Sequence, residues 1–276
     1  MLCQTSPIMT ASTELLDLAT KIAVEAGELA ARRRAEGVTI AASKSSLEDV
    51  VTQADRDTED LIRSMLADAR PDDGILGEEG GGTVTGTSGL TWVVDPIDGT
   101  VNYLYGIRHY AVSIAVVEGG QDPTTWTALA GVVNNPAIGE IFAAGRAAGA
   151  TLNGESIRVA PAVDLSQALV GTGFSYRAER REEQARVVTK LIGHVRDIRR
   201  QGSAALDLCD VASGRLNAYF ERGLHPWDHA AGALIAVEAG ARVSALNGAP
   251  ASDEFMLAGE PSVAGALEIV LVAAGS

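Results

Sequence analysis

The feature that most constrains this chain is the stretch from Gly74 to Ala143. There, apolar residues come in short runs, ILG, WVV, AVSIAVV, ALAGVV and EIFAA, parted by glycine, proline and asparagine. Short runs bounded by turn formers predict successive strands of a sheet. An Asn153-Gly154 pair between TL and SIRV predicts one more two-residue hairpin. Ahead of the sheet, Leu15, Leu18, Ala19, Ile22, Ala26, Leu29 and Ala30 recur at helical spacing between Ser12 and Glu36. A second helix is expected from about Thr52 or Asp55 to Ala69, with Leu61, Ile62, Met65 and Leu66 as its stripe and Pro71-Asp72-Asp73-Gly74 as its stop.

After Ala168, strands and helices alternate: ALVGTG, a helix near Glu179 to Val195, DIRR, a helix from Ser203, LNAYFE, a helix from Asp228, and ARVSA. The expected organisation is a flexible extension over residues 1–11, with Met9 as an alternative start. A single α/β (α+β) body follows over 12–276, with approximate halves 12–160 and 161–276. No repeat of 20 to 50 residues and no long linker divides it. Gly80 to Gly89 reads as a mobile loop or as an inert connection.

Charge narrows the functions. The chain carries 22 basic and 36 acidic residues, a net charge of −14. That balance opposes nonspecific attraction to nucleic acid or an anionic membrane surface, so neither is expected as a partner. A small anionic ligand would also be repelled unless the acidic groups near it held cations. Cys3 and Cys209 make no disulfide framework, and no stretch reaches the roughly 20 apolar residues of a membrane span. No signal-peptide pattern opens the chain, so a reducing cytoplasm is the expected compartment.

Three acidic segments fall where a strand gives way to a loop or helix: Gly77-Glu78-Glu79-Gly80, Asp95-Pro96-Ile97-Asp98-Gly99-Thr100, and Trp227-Asp228 ahead of His229-Ala230-Ala231-Gly232. Carboxylates at strand ends can converge across a sheet edge, and hard divalent cations prefer such oxygen donors. Taken singly, each segment is equally a turn, a solvated edge or a helix cap. Their weight comes from occurring together with Asp49-Val50-Val51-Thr52-Gln53-Ala54-Asp55 in one chain. No EF-hand loop is present, which removes a structural Ca²⁺ reading.

With KSSLEDVVTQAD from Lys44, GEEG from Gly77, WVVDPIDGTVNYLYG from Trp92, GSAALDLCDVASG from Gly202 and ERGLHPWDHAAG from Glu221, the sequence resembles the inositol monophosphatase family. It is most similar to bacterial SuhB-type members, in GTVNYLYGIRHYAVSIAVV, VGTGFSY and RRQGSAALDLC. The resemblance spans nearly the whole chain. It implies a layered α/β/α/β/α sandwich, a homodimer, lithium sensitivity, and Mg²⁺-dependent hydrolysis of a small phosphorylated polyol, foremost myo-inositol 1-phosphate. Histidinol phosphate, a fructose bisphosphate and a 3′-phosphorylated nucleotide stay open as substrates. So does a regulatory, protein-binding role beside catalysis.

Carried over residue by residue, the resemblance implies two or three Mg²⁺ ions. Glu78, Asp95 and the Ile97 carbonyl match the ligands of a first ion, and Asp95, Asp98 and Asp228 those of a second. A third is held partly by Glu78 through water. Thr100 matches the hydroxyl that orients the attacking water, and Asp55 the carboxylate bonded to that threonine. The Gly99 and Thr100 amides are expected to cradle phosphate, while Asp98, Ala204 and Glu221 match polyol contacts. Asp49, Lys44 and Glu79 match supporting positions. His225 reads either as a substrate neighbour or as packing on Trp227. His109 and His194 read as structural or surface residues. Arg177, Arg180 and Arg181 read as a solvated helix face, or as reaching substrate or a subunit boundary. Pro226 and His229 depart from some relatives without removing a ligand.

Overall fold

The structure is a computed structural model that describes residues 7–38, 40–43, 50–79 and 83–276. Lys44 and Asp49 lie outside the described residues. Helix α1 (Pro7–Glu36) buries the stripe foreseen above, with Leu15, Ala19, Ile22, Ala26 and Ala30 inside, and starts five residues before Ser12. Strands β1 (Ile40–Ser43) and β2 (Val50–Thr52) pair as a small antiparallel ribbon. Helix α2 (Gln53–Ala69) starts at a capping box. The Thr52 hydroxyl accepts from the Asp55 amide, and the Asp55 carboxylate accepts from the Thr52 amide at 2.9 Å.

Then come β3 (Gly74–Gly77), β4 (Leu90–Asp98), the short α3 (Thr100–Tyr105), β5 (Ala111–Glu118), β6 (Thr127–Asn135), β7 (Glu140–Gly145), β8 (Gly149–Leu152) and β9 (Glu155–Ser156). These strands form one seven-stranded sheet in sequence order, β3 parallel to β4 and the rest antiparallel. Asn153 and Gly154 take positive φ, 50° and 85°, as a two-residue hairpin of this kind requires. The strand expected at SIRV is shorter, ending at Ser156. Of the loop expected over Gly80 to Gly89, Gly80 to Gly82 fall outside the described residues, and the part after them is pinned. Val84 bridges Ile75, and the amides of Thr87 and Ser88 donate to the Asp72 carbonyl.

The second half supplies β10 (Leu169–Thr172), α4 (Ala178–Leu191), β11 (Asp197–Arg199), α5 (Ala204–Ala212), β12 (Ala218–Glu221), α6 (Pro226–Glu238), β13 (Arg242–Ser244), β14 (Met256–Gly259) and α7 (Pro261–Ala274). Its five strands run in the order β11-β10-β12-β14-β13. Helix α6 begins at Pro226, two residues before the expected Asp228, because proline's fixed φ suits the first helical position. Helix α4 stops at Leu191 rather than Val195.

The layers follow from where apolar side chains gather. One core joins α1 and α2 to the large sheet through Ile22, Ile62, Leu66, Trp92 and Ile114. A second joins the sheet's other face to α5 and α6 through Val93, Ala115, Phe142, Ala231 and Ile235. Leu208, Val211 and Tyr219 fasten α5 to the smaller sheet, whose far face is covered by α4 and α7. The architecture is therefore α/β/α/β/α. Helices on both sides leave β4 buried from Thr91 to Asp98, which accounts for its unbroken apolar run WVV. No helix of the described residues is long and apolar enough to cross a membrane.

Candidate active site

Strand β4 delivers Asp95, Ile97 and Asp98 to the end of the large sheet where α3, α5 and α6 begin. A cavity of about 400 Å³ opens there. Its lining includes Glu78, Asp95, Ile97, Asp98, Gly99, Thr100, Ala204, Glu221 and Asp228. The structure thus brings together every predicted metal-ligand residue and all five residues assigned to substrate.

Gly99 turns the chain from strand to helix with φ at 92°. A Cβ here would stand 3.0 Å from the His109 carbonyl oxygen and 3.2 Å from that of Gly202, so both conformation and space require glycine. The Thr100 hydroxyl lies 3.1 Å from Asp55 Oδ1 and 3.1 Å from the Ile97 carbonyl. It has one proton for these two acceptors. Asp55 also accepts from both the amide and the hydroxyl of Thr52. It is fully buried, and burial is the main reason its carboxyl is raised to about 6, against the hydrogen bonds from Thr52 and Thr100.

Asp98 is tied to the start of α5. Its Oδ2 accepts from the Ser203 hydroxyl at 2.6 Å and the Ala205 amide at 2.7 Å. Burial nevertheless raises it to about 6, with Glu78 adding to the rise. Asp95 stands well above the usual carboxylate range, first through burial and then through Glu78, Asp98 and Asp228. Asp228, third residue of α6, is likewise well above it through burial, Glu78 and Asp98, although it accepts from the His225 amide at 2.6 Å. Among the described residues, Asp95, Asp98 and Asp228 have no ion-pair partner. An all-oxygen set of mutually repelling carboxylates, two of them buried and Asp228 half-buried, fits a hard divalent cation, which would reverse each of these shifts.

Glu221 rises to about 7, again mainly by burial, opposed by the Tyr219 hydroxyl, which donates to Oε2 at 2.6 Å, and by Arg200. Its carboxylate lies against Gly173, where a Cβ would come within 2.0 Å of Oε2. His225 lines the cavity and stacks on Trp227, with ring centroids 5.0 Å apart. Glu79 does not line the cavity; its amide donates to Glu59 at 2.7 Å. Arg177 and Arg180 line the cavity with Arg200 and Arg222, whereas Arg181 does not and is exposed. An adjoining cavity of about 460 Å³, between α4, α7 and β12, contains none of the acidic ligand candidates.

Sequence reasoning passed over two groups. Ser203 positions Asp98, and its signal was its place as the residue before an apolar helix. The other is His109, Asp207 and Asp210. They are the one set of three candidate ligands, among the described residues, whose donor atoms all lie within 4.8 Å of one another. His109 was read as structural or surface, and no local spacing links it to α5.

Comparison with known proteins agrees with the fold. The model of the inositol monophosphatase family matches residues 11–274. The inositol-1-monophosphatase SuhB of Mycobacterium tuberculosis (strain ATCC 25618 / H37Rv) is 48% identical over 246 residues, 83% of each chain. The Nus factor SuhB of Xylella fastidiosa (strain Temecula1 / ATCC 700964) is 43% identical over 269 residues, 94% of this chain and 95% of that one. The solved Mycobacterium tuberculosis SuhB superposes with a TM-score of 0.79 at 44% identity, covering 95% of this chain and 97% of that chain. Bartonella henselae suhB gives 0.85 at 33% identity, covering 94% and 98%. The chain belongs to the inositol monophosphatase family and is, by that membership, a phosphatase.

Proposed function

We propose that this phosphatase hydrolyses myo-inositol 1-phosphate in a Mg²⁺-dependent reaction carried out in the cleft at the end of β4. The observation that supports this best is the convergence of Glu78, Asp95, Asp98 and Asp228 on one cavity. Glu78, Asp95 and the Ile97 carbonyl would hold one ion, and Asp95, Asp98 and Asp228 another. A third would be held partly by Glu78 through water. When bound, such ions lower the pKa of a bound water and neutralise phosphoryl and leaving-group oxygens.

The chain's own groups do the positioning. Asp55 accepts the Thr100 hydroxyl proton in a hydrogen bond and leaves the hydroxyl oxygen facing one direction, so Thr100 can in turn accept a hydrogen bond from the attacking water and orient it. The Gly99 and Thr100 amides are donors for the phosphoryl oxygens. Glu221, held by Tyr219 and backed by Gly173, accepts from a polyol hydroxyl, with Ala204 and Asp98 beside it. Hydrolysis by in-line attack of water needs no covalent phosphoenzyme. Two chains are proposed to associate as a homodimer, a reading that rests on the family resemblance and is checked by sedimentation.

Titrating Mg²⁺ against phosphate release from inositol 1-phosphate, histidinol phosphate, fructose 1,6-bisphosphate and 3′-phosphoadenosine 5′-phosphate tests the reading. Inositol 1-phosphate should be among the fastest. Metal-independent release, or inositol 1-phosphate among the slowest, refutes the metal or the substrate respectively. The name Nus factor SuhB on the Xylella fastidiosa relative favours a second reading, a regulatory role in addition to catalysis. A strain lacking the chain, rescued by Asp98→Asn as well as by wild type, would support it; rescue by wild type alone would speak for catalysis.

A further inference from the structure

We propose that His109, Asp207 and Asp210, together with Gln201, form a separate binding site for a divalent transition ion behind the catalytic cleft. Their three ligand atoms already lie within 4.8 Å of one another, and His109 Nε2 is 3.8 Å from Asp207 Oδ1. Four donors around an ion at about 2.1 Å stand about 3.4 Å apart. That pair therefore has only a few tenths of an ångström to close.

Gln201 links the two carboxylates of the group. Its Nε2 donates to Asp207 Oδ1 at 2.9 Å and to Asp210 Oδ2 at 2.8 Å, bridging the two carboxylates as a cation would. A half-turn of the amide presents Oε1 instead, giving one nitrogen and three oxygen donors. His109 Nε2 is itself buried and without a hydrogen-bond partner among the described residues. Burial holds the ring below its usual pKa, against the pull of Asp210 and Glu140, which favours the neutral form that binds metals.

The local set of acidic groups also favours a bound cation. Among the described residues, the cation paired with Asp210 and Glu140 is Arg215, which forks Glu140 at 2.7 and 2.5 Å and reaches Asp210 Oδ1 at 3.3 Å; no ion pair from an arginine or lysine reaches Asp207. A mixed nitrogen and oxygen set with an imidazole suits Zn²⁺, Co²⁺ or Mn²⁺ better than Mg²⁺, which prefers oxygen and retained water. The site is connected to the cleft through backbone. The His109 carbonyl accepts from Asn102 at 2.7 Å and lies against Gly99. Helix α5, which carries Asp207 and Asp210, holds Asp98 at its start. An ion here would fasten the loop behind the Gly99–Thr100 turn to the helix that orients Asp98.

Co²⁺ is the probe, titrated in excess Mg²⁺ into the wild type and into Asp95→Asn, His109→Ala, Asp210→Asn and Gln201→Leu. Visible absorption, a Co²⁺-shifted imidazole N–H resonance and the melting temperature are read together. The shifted resonance and a rise in melting temperature should occur in wild type and Asp95→Asn and be lost in His109→Ala and Asp210→Asn. Gln201→Leu should weaken Co²⁺ binding by roughly 10–100-fold. Equal melting of the variants without metal separates lost ligation from lost folding. If His109→Ala does not fold, Asp210→Asn and Gln201→Leu carry the same reading. An unshifted imidazole spectrum in wild type, or unchanged Co²⁺ binding in the folded variants, overturns the proposal.

Discussion

Two buried aspartates sit at opposite ends of the seven-stranded sheet and meet opposite fates. Asp73, just ahead of β3, is 5% exposed, and Asp95, near the end of β4, is 1% exposed. Asp73 accepts from Arg70 at 2.7 and 3.2 Å and from the Trp92 indole at 2.9 Å. Burial is its largest influence and pushes its pKa up, yet the hydrogen bonds from Arg70, Ser88 and Trp92 outweigh it and hold the group below the usual range. Asp95 has the Ile97 amide at 3.0 Å and otherwise faces carboxylates, so burial and repulsion act together. The contrast separates a structural carboxylate, completed by its own chain, from one whose completion must come from outside. Buried charge without a chain partner is costly to a fold and is the mark of a site.

Replacing each aspartate by asparagine should break the contrast most sharply at Asp95. Asp95→Asn is expected to lose Mg²⁺-dependent phosphate release by on the order of 10⁴-fold, the scale seen when a unit of the catalytic apparatus is removed. The same change should raise the melting temperature of the metal-free protein, because one of four repelling carboxylates is gone. Near-wild-type turnover in Asp95→Asn would remove the metal assignment, and a lower metal-free melting temperature would contradict the electrostatic reading.

Titration of the metal-free protein sharpens the comparison, since the two kinds of carboxyl act with opposite sign. Asp55, at 3.8 when unfolded and about 6 when folded, binds its proton more tightly in the native state. Its contribution to stability is present below 3.8 and is lost as pH rises through about 6, a change of about 2–3 kcal/mol. Asp73 is the reverse: its contribution is present above 3.8 and lost as pH falls through its depressed native value. Urea unfolding across this range should therefore give a declining limb on the alkaline side that flattens in Asp55→Asn. An unchanged limb in that variant would mean that Asp55 is not desolvated as the geometry implies.

Asp73→Asn itself should cost about 2 kcal/mol, by leaving the Arg70 and Trp92 donors imperfectly paired. The measurement is denaturant unfolding beside a kinetic assay, and turnover per folded molecule should stay at the wild-type value. A fall in turnover as large as that in Asp95→Asn would erase the distinction between the two ends of the sheet.

How much of this was legible beforehand depends on distance along the chain. The turn Asp95 to Thr100 could be read because strand, proline, two aspartates and glycine are consecutive, and Thr52 to Asp55 because a capping box is a local pattern. Asp55 and Thr100 meet across the fold, and only the family resemblance put them together. His109 and α5 had no such guide: their association depends on how the loop after α3 packs against the smaller sheet's covering helix. Helix α7 escaped for another reason. PSVAGALEIVLVAA is apolar on nearly every face, so the buried set Val263, Ala264, Leu267, Leu271 and Ala274 has no polar stripe to reveal it.

Glu221 lies between the two kinds of carboxylate, and its variant has the smallest expected effect. Like Asp73 it has chain partners, the Tyr219 hydroxyl at 2.6 Å and Arg200 nearby, but like Asp95 it lines the cleft and is raised, to about 7. Glu221→Gln keeps an acceptor oxygen in the same place over Gly173 while removing the charge. One hydrogen bond to a polyol hydroxyl would be weakened, so KM should rise about 10-fold, or about 1.4 kcal/mol, with kcat little changed. A structural carboxylate would give instead a stability loss with unaltered KM, and a catalytic one a fall in kcat. The split between KM and kcat therefore places Glu221 on one side of the contrast that Asp73 and Asp95 define.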